Sequence, residues 1–351
     1  MTTITAQDLY QHYGSDFRSR IDSVFTEDSD TGLSDRLRAN VSRFAAYKAE
    51  YVSAALQRAF NDATTPEKDR QKYARAVLHT FNRYQDAERS TATARARTAK
   101  QFEEFLQPDN VRLFPNLKWL PSRSADPRVS HTAFYNRVWA KDDPFWNTNA
   151  PGTEWNCKCD IEETDEPATD NAAVPQPAVP LGLEGNPAQT GEIFTDNASY
   201  IRTAGRNRQQ RQDAESNCRS LMRDILQHNA STNPIKDRDC IANLNGVDCT
   251  IGVETWGISE TAQSMFRASD YWLKNEVLKH FYQYIPKGYY AGNAPVDLTH
   301  NTGRTLRRKR HFRLFHYVIV EVQPGINFCV HIVEHDSGNY YLYTITKNSP
   351  I

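Results

Sequence analysis

Two stretches of this sequence gather side chains that can move protons or hold ions. The first holds Arg304, Arg307, Arg308, Lys309, Arg310 and Arg313, beside His300, His311 and His316. The whole chain balances 42 Lys+Arg against 43 Asp+Glu for a net charge of −1, so this cluster is a local positive patch suited to a phosphate backbone. Phe312, Phe315, Tyr317, Tyr340, Tyr341 and Tyr343 lie among and after these cations and offer rings on which unpaired bases stack. Cutting RNA without a metal needs one group to take the 2′-hydroxyl proton, another to protonate the leaving oxygen, and a cation for the phosphorane. Histidine has the pKa for the first two tasks. On a strand over 326–334, parity sets Cys329, His331 and Val333 opposite Phe328, Val330 and Ile332, and His331 then shares a side with His335. The expected catalytic set is His331, with His335 or Tyr341 assisting proton transfer and Arg310 or Lys309 stabilising the phosphate. His316, in register with Leu314 and Val318, reads as a buried histidine. The rival expectation is that the basic run docks on nucleic acid or capsid and cuts nothing.

The second stretch is Trp119–Asp160. His131, Cys157 and Cys159 are three soft ligands, with Asp143 as a fourth candidate. A Cys-x-Cys bite is short and no second cysteine pair accompanies it, so the expectation is no bound metal and no cofactor. Asp126, His131 and Asn156 are expected to satisfy buried backbone groups instead. Trp119, Trp146 and Trp155 supply apolar area that so short a segment otherwise lacks.

The elements that must position these residues follow from pattern. Residues from about Leu33 to Phe105 carry apolar positions at helical spacing with Gly and Pro nearly absent, so 1–115 reads as a helical region. Thr65-Pro66-Glu67 reads as a cap with proline at the first helical position, starting a helix whose stripe runs through Tyr73, Val77, Phe81 and Tyr84. Residues 116–162 show no sustained period and read as irregular structure. Residues 163–195, with Pro175, Pro177 and Pro180, read as a linker sensitive to protease. In a separate C-terminal domain over 196–351, helices at 208–229 and 259–284 precede alternating runs at 312–322, 326–334 and 339–346. The class is α+β, with a small antiparallel sheet in that domain.

Composition narrows the choice. Hydrophobic residues make up 39% and mean hydropathy is −0.71, which suits small cores completed against partners. The polar N-terminus offers no signal-peptide pattern, and no run approaches the roughly 18 apolar residues of a membrane span. Synthesis in the cytoplasm is expected, with the six cysteines as thiols or ligands and not a disulfide framework.

The order of residues from 119 to 160 is more specific than any single element. Trp119, then Asp126, Arg128, Val129 and His131, then Asp142-Asp143-Pro144-Phe145-Trp146, then Pro151 and Trp155-Asn156-Cys157 with Cys159, resembles the core of phage Mu F-like head-morphogenesis proteins, a minor capsid family. Two departures are Lys158, where the family has Arg between the cysteines, and Gly152, which stands three residues ahead of Trp155. The resemblance implies a role in head assembly near the portal, with portal and capsid proteins as partners. It implies the bacterial cytoplasm during assembly and then the virion head. Such proteins carry variable C-terminal domains, nuclease toxins among them. The tail here resembles in architecture the barnase/EndoU/colicin/RelE-like nucleases, which implies an RNA or DNA partner and an immunity protein.

Overall fold

A computed structural model of the chain describes residues 4–25, 32–125, 127, 129–218, 240–263, 274, 277–278, 280–299, 303–323 and 325–347. The chain divides into two compact units, 1–218 and 219–351. The class is α+β, as the pattern implied.

The first unit is built on three helices, α1 (Ala6–Asp22), α2 (Gly32–Asn61) and α3 (Glu67–Phe105). Helix α1 starts at a capping box, in which Thr5 and Asp8 satisfy each other's backbone N–H and so cover two donors that have no intrahelical partner. Between α2 and α3 the Asp62 carboxylate accepts from Thr64 N–H and from both threonine hydroxyls. Pro66 itself occupies the N-cap of α3 without a side-chain cap, so Thr65 braces the turn and does not cap the helix. The stripe assigned to α3 is also different. Tyr73 and Tyr84 are exposed, and the buried positions of that helix include Gln85, Glu88, Thr91, Arg95 and Thr98.

The reason is that α3 faces polar backbone as well as apolar side chains. Beyond α4 (Pro108–Leu113), strands β1 (Asn116–Leu120), β2 (Val138–Ala140) and β3 (Asp160–Thr164) form an antiparallel sheet in the order β2-β1-β3. Helices α5 (Val129–Thr132) and α6 (Phe145–Thr148) are single turns between these strands. Of residues 163–195, read as a linker, Thr169 and Asn171 hydrogen-bond the Val138 carbonyl of β2. The part from Leu183 on packs against α2 and α3 and contains α7 (Pro187–Thr190), and the chain continues into α8 (Ser199–Arg206) and α9 (208–218). Leu183, Ile193 and Phe194 are fully buried, and Phe194 stacks on Phe44 of α2 at 4.0 Å. The Asn40 side chain of α2 accepts from Ile193 and Phe194 N–H and donates to the Phe194 carbonyl. Sparse apolar residues at the right positions thus anchor a segment whose composition resembles a tether. Residues 196–218, assigned from sequence to the C-terminal domain, form α8 and α9 and belong to this first unit.

In the second unit the sheet has six strands in the order β4-β5-β9-β8-β7-β6. The runs read from alternation are β7 (Phe312–Gln323), β8 (Ile326–His335) and β9 (Tyr340–Thr346). The hairpin of β4 (Cys240–Leu244) and β5 (Val247–Gly252), and β6 (Tyr289–Pro295), extend it. The sheet is therefore larger than expected, and β5 pairs with β9 in parallel. Helix α10 (Thr255–Gln263) precedes β6. Most of 264–279 and all of 219–229, read as helical, lie outside the described residues.

Candidate functional site

The turn α5 presents His131, and the loop 152–159 brings the two cysteines to it. That loop is set against α3 at two points. Gly152 has φ +89, and a Cβ there would lie 2.7 Å from Arg95 Cγ, so the close approach requires glycine. Asn156 has φ 59, a left-handed conformation asparagine tolerates, and its N–H donates to Thr91 Oγ at 2.8 Å. Cys157 and Cys159 follow, and β3 begins at the next residue.

His131 Nδ1 lies 3.5 Å from Cys157 Sγ and 3.5 Å from Cys159 Sγ. The three ligand atoms fall within 4.8 Å of one another, and His131 and Cys157 are buried. On the other side of the ring, Nε2 is 3.6 Å from Glu154 Oε1, which accepts from Ser130 Oγ at 2.6 Å. Trp119 packs edge-on to the imidazole at 5.6 Å. A hydrogen bond from Cys159, and then the His131 ring, push the Cys157 thiol down to about 4 against its burial. Cys159 is pushed up by its neighbouring sulfur and by burial, while Trp119 and Tyr135 favour its thiolate. The Trp119 indole N–H is buried and has no oxygen or nitrogen partner among the described residues, and the Tyr135 hydroxyl lies against Cys159 and the Ser122 backbone.

Several expected roles change. His131 faces two sulfurs and a carboxylate, not backbone, and the Asn156 side chain is exposed. Asp143 accepts from Phe145 N–H at 2.8 Å at the start of α6 and stands apart from the sulfur cluster. Asp126 and Arg128 lie outside the described residues. Trp119 and Trp146 are buried at the centre of an aromatic core with Phe102, Phe134, Trp139 and Phe145, and Trp146 Nε1 donates to the Ala140 carbonyl at 2.9 Å. Trp155 is only half-buried and stacks on Phe194 at 5.7 Å.

In the second unit the expected catalytic residues separate. His331 lies opposite Tyr317 of β7, with Nε2 2.9 Å from Thr346 Oγ. Burial, and then Lys274, push its pKa down to about 4, so it is neutral at neutral pH and a weak base. His335 is four residues further along β8, roughly 13 Å of extended chain. Its Nδ1 lies 2.7 Å from Asp336 Oδ1 and 2.9 Å from Ser337 Oγ. The His335 ring stacks on His311 at 5.7 Å, and His311 Nδ1 lies 2.9 Å from Asp336 Oδ2. Tyr341 meets His335 edge-on at 6.2 Å. The fold therefore groups His335 and Tyr341 with His311 and Asp336, not with His331. Adjacency of His335 and Asp336 in sequence was a usable signal. The pairing of the β7 start with the β8–β9 turn, where Asp336 N–H donates to the His311 carbonyl, was not.

The basic run forms a short helix over Gly303–Lys309 and its exit. Arg307 and Arg310 are exposed. Arg308 instead pairs with Glu260 at 2.5 Å and covers the Trp256 ring at 5.0 Å, tying this helix to α10. Lys309 lies 5.7 Å from the Tyr343 ring, and Arg313 pairs with Glu334 at 3.1 Å while remaining exposed. The Arg304 side chain and His300 lie outside the described residues. His316 is buried as expected, with Nδ1 3.3 Å from Tyr290 Oη.

No helix among the described residues is long and apolar enough to cross a membrane. No family model matches the chain and no solved structure matches it. Over 113 residues the chain is 30% identical to the Mu-like prophage FluMu F protein of Haemophilus influenzae (strain Rd), a match covering 32% of this chain and 26% of that protein. The chain thus spans about a quarter of the curated relative's length. The resemblance to Mu F-like proteins carried by Trp119 to Cys159 is accordingly borne out by similarity to a Mu-like prophage F protein.

Proposed function

We propose that this chain is a head-associated protein of a Mu-like prophage, whose first unit serves head assembly near the portal. The similarity to the FluMu F protein carries this reading. The packing of the resemblance-bearing residues Trp119, Phe145 and Trp146 into one core supports it. Portal and capsid proteins are the proposed partners, and the virion head, reached from the cytoplasm, is the proposed destination. Deleting the gene from an inducible prophage that carries it should abolish infectious particles, and the protein should co-purify with heads. Normal particle yield without it would overturn the reading.

The second unit is proposed to bind RNA or single-stranded DNA. Exposed Arg307 and Arg310 beside the His311–His335–Asp336 cluster favour this. If it also cuts, as an RNase-like effector neutralised by an immunity protein, His335 and His311 are better placed than His331 to exchange protons, because both are paired to one carboxylate and His311 is exposed. The full chain incubated with labelled single-stranded RNA tests both halves. Retention without cleavage leaves a docking surface, and no retention at low salt removes the nucleic-acid reading altogether.

A further inference from the structure

We infer that His131, Cys157 and Cys159 bind a single zinc-class divalent ion, with water in the fourth position. The distances fit such an ion. A tetrahedral ion about 2.05 Å from nitrogen and about 2.3 Å from sulfur has N···S edges of about 3.5 Å. Both edges from His131 Nδ1 to the sulfurs are 3.5 Å.

Hydrogen bonding accounts for this arrangement poorly. Nδ1 has one lone pair or one proton, yet two sulfurs stand equally far from it. One nitrogen cannot serve both well, whereas one ion between the three atoms can. The surroundings point the same way. The Trp119 N–H, buried without an oxygen or nitrogen partner among the described residues, and the Tyr135 O–H both lie beside Cys159, and such donors match a sulfur that carries the negative charge of a metal-bound thiolate. The opposite ring nitrogen of His131 faces Glu154, itself held by Ser130. A carboxylate on the far nitrogen fixes the ring and raises its basicity as a ligand.

Two thiolates and an imidazole select zinc over magnesium or calcium, which prefer oxygen. Among the described residues no fourth His, Cys, Asp or Glu completes the group. Cys157 and Cys159 line a cleft of about 350 Å³ together with Ser90, Thr93, Thr98 and Gln101 of α3, polar enough and large enough to supply water as the fourth ligand. The ion would join α5 to the loop before β3, so that part of its binding energy becomes folding energy of this aromatic core. The missing second cysteine pair argued against a metal in the sequence. The fold supplies the third ligand from 26 residues before Cys157.

The test is elemental analysis of the full chain purified without chelator, with cobalt(II) titration of the chelator-stripped protein. About one zinc per chain is expected, and cobalt should give the thiolate charge-transfer absorption of a tetrahedral site. Stripping should lower the melting temperature. Cys157→Ser with Cys159→Ser should lose both signals, while His131→Cys, which keeps a soft ligand in place, should retain them. Wild-type protein that holds no zinc and gives no cobalt spectrum overturns the inference without reference to any variant. Full metal content in the double serine variant would overturn it equally.

Discussion

The two units of this chain solve the same problem with different materials. The second unit hides apolar side chains on both faces of β8, where Phe328, Cys329, Val330, Ile332 and Val333 are all buried. The first unit also has aromatic clusters, and beside them it buries several charged side chains, Asp35, Lys48, Glu50, Glu88, Arg95 and Lys141, whereas the second buries Lys274 among its described residues. Lys48 is wholly buried and pairs with Glu88, which accepts from Tyr200 Oη at 3.0 Å. Burial pushes the Lys48 ammonium down and the Glu88 carboxyl up. The Tyr13 ring lies 4.5 Å from Lys48 Nζ and gives the ammonium a second partner. Arg95, also fully buried, donates to the carbonyls of Gly152, Leu183, Glu184, Gly185 and Glu192. A regular sheet satisfies its own backbone, and side chains need only be apolar. An irregular chain leaves carbonyls unpaired, and a buried guanidinium with five N–H donors can take several at once. In the first unit, buried polar groups therefore specify the path of the chain.

That contrast can be broken experimentally, and the largest effect is expected at Arg95. Arg95→Ala orphans several buried carbonyls at ~1–3 kcal/mol each, so the first unit should lose more than ~4 kcal/mol or fail to fold. Thermal melting of the full chain should show the loss in one transition only. A small shift would mean that water replaces the guanidinium and that the irregular loops hold their own path.

Next come Glu88→Gln and Lys48→Met, each removing one member of a buried pair, with an expected loss of ~3–5 kcal/mol. Replacing both with apolar residues should recover most of that loss. If the double replacement is as unstable as either single one, the pair does more than compensate its own burial. Trp146→Ala should cost a similar ~3–5 kcal/mol, and Trp155→Ala clearly less, because Trp155 is only half-buried. Equal effects from denaturant unfolding would show that the stack on Phe194 matters as much as the core.

A smaller effect concerns pH and the second unit. His331 is held near 4 in the folded chain against an ordinary 6.5. The unfolded chain takes up this proton first as pH falls, so stability is full above about 6.5 and declines as pH drops toward 4. His331→Gln should flatten that decline, and an unchanged profile would show that the ring is more hydrated than its position implies. Smallest is the change expected in the salt dependence of single-strand binding. Its log–log slope should weaken by roughly 0.7 for each phosphate that the protein no longer neutralises. Arg307→Ala and Arg310→Ala should each show it. Arg308→Ala should lower stability with little change of slope, since Arg308 is committed to Glu260 and Trp256.

The amino-acid order alone determined the helical start, the α+β class, strands β7 to β9, and the ordered residues from Trp119 to Cys159 that resemble Mu F-like proteins. These are local signals, since periodicity and motif order need no distant partner. Only tertiary structure decided that 163–195 packs and does not tether. A few residues, Leu183, Ile193 and Phe194, find cores formed by α2 and α3, and a composition average hides them. It likewise decided that the α3 face at Glu88 and Arg95 is buried, because the groups these residues satisfy come from elsewhere in the sequence. It moved the histidine cluster from His331 to His311, His335 and Asp336, since strand register and turn geometry set which rings meet. And it brought His131 to Cys157 and Cys159 through the turns at Gly152 and Asn156, whose positive φ angles fix the approach of the loop to α3. Chain separation carries no distance, so residues far apart in sequence become one site only when the fold closes the gap.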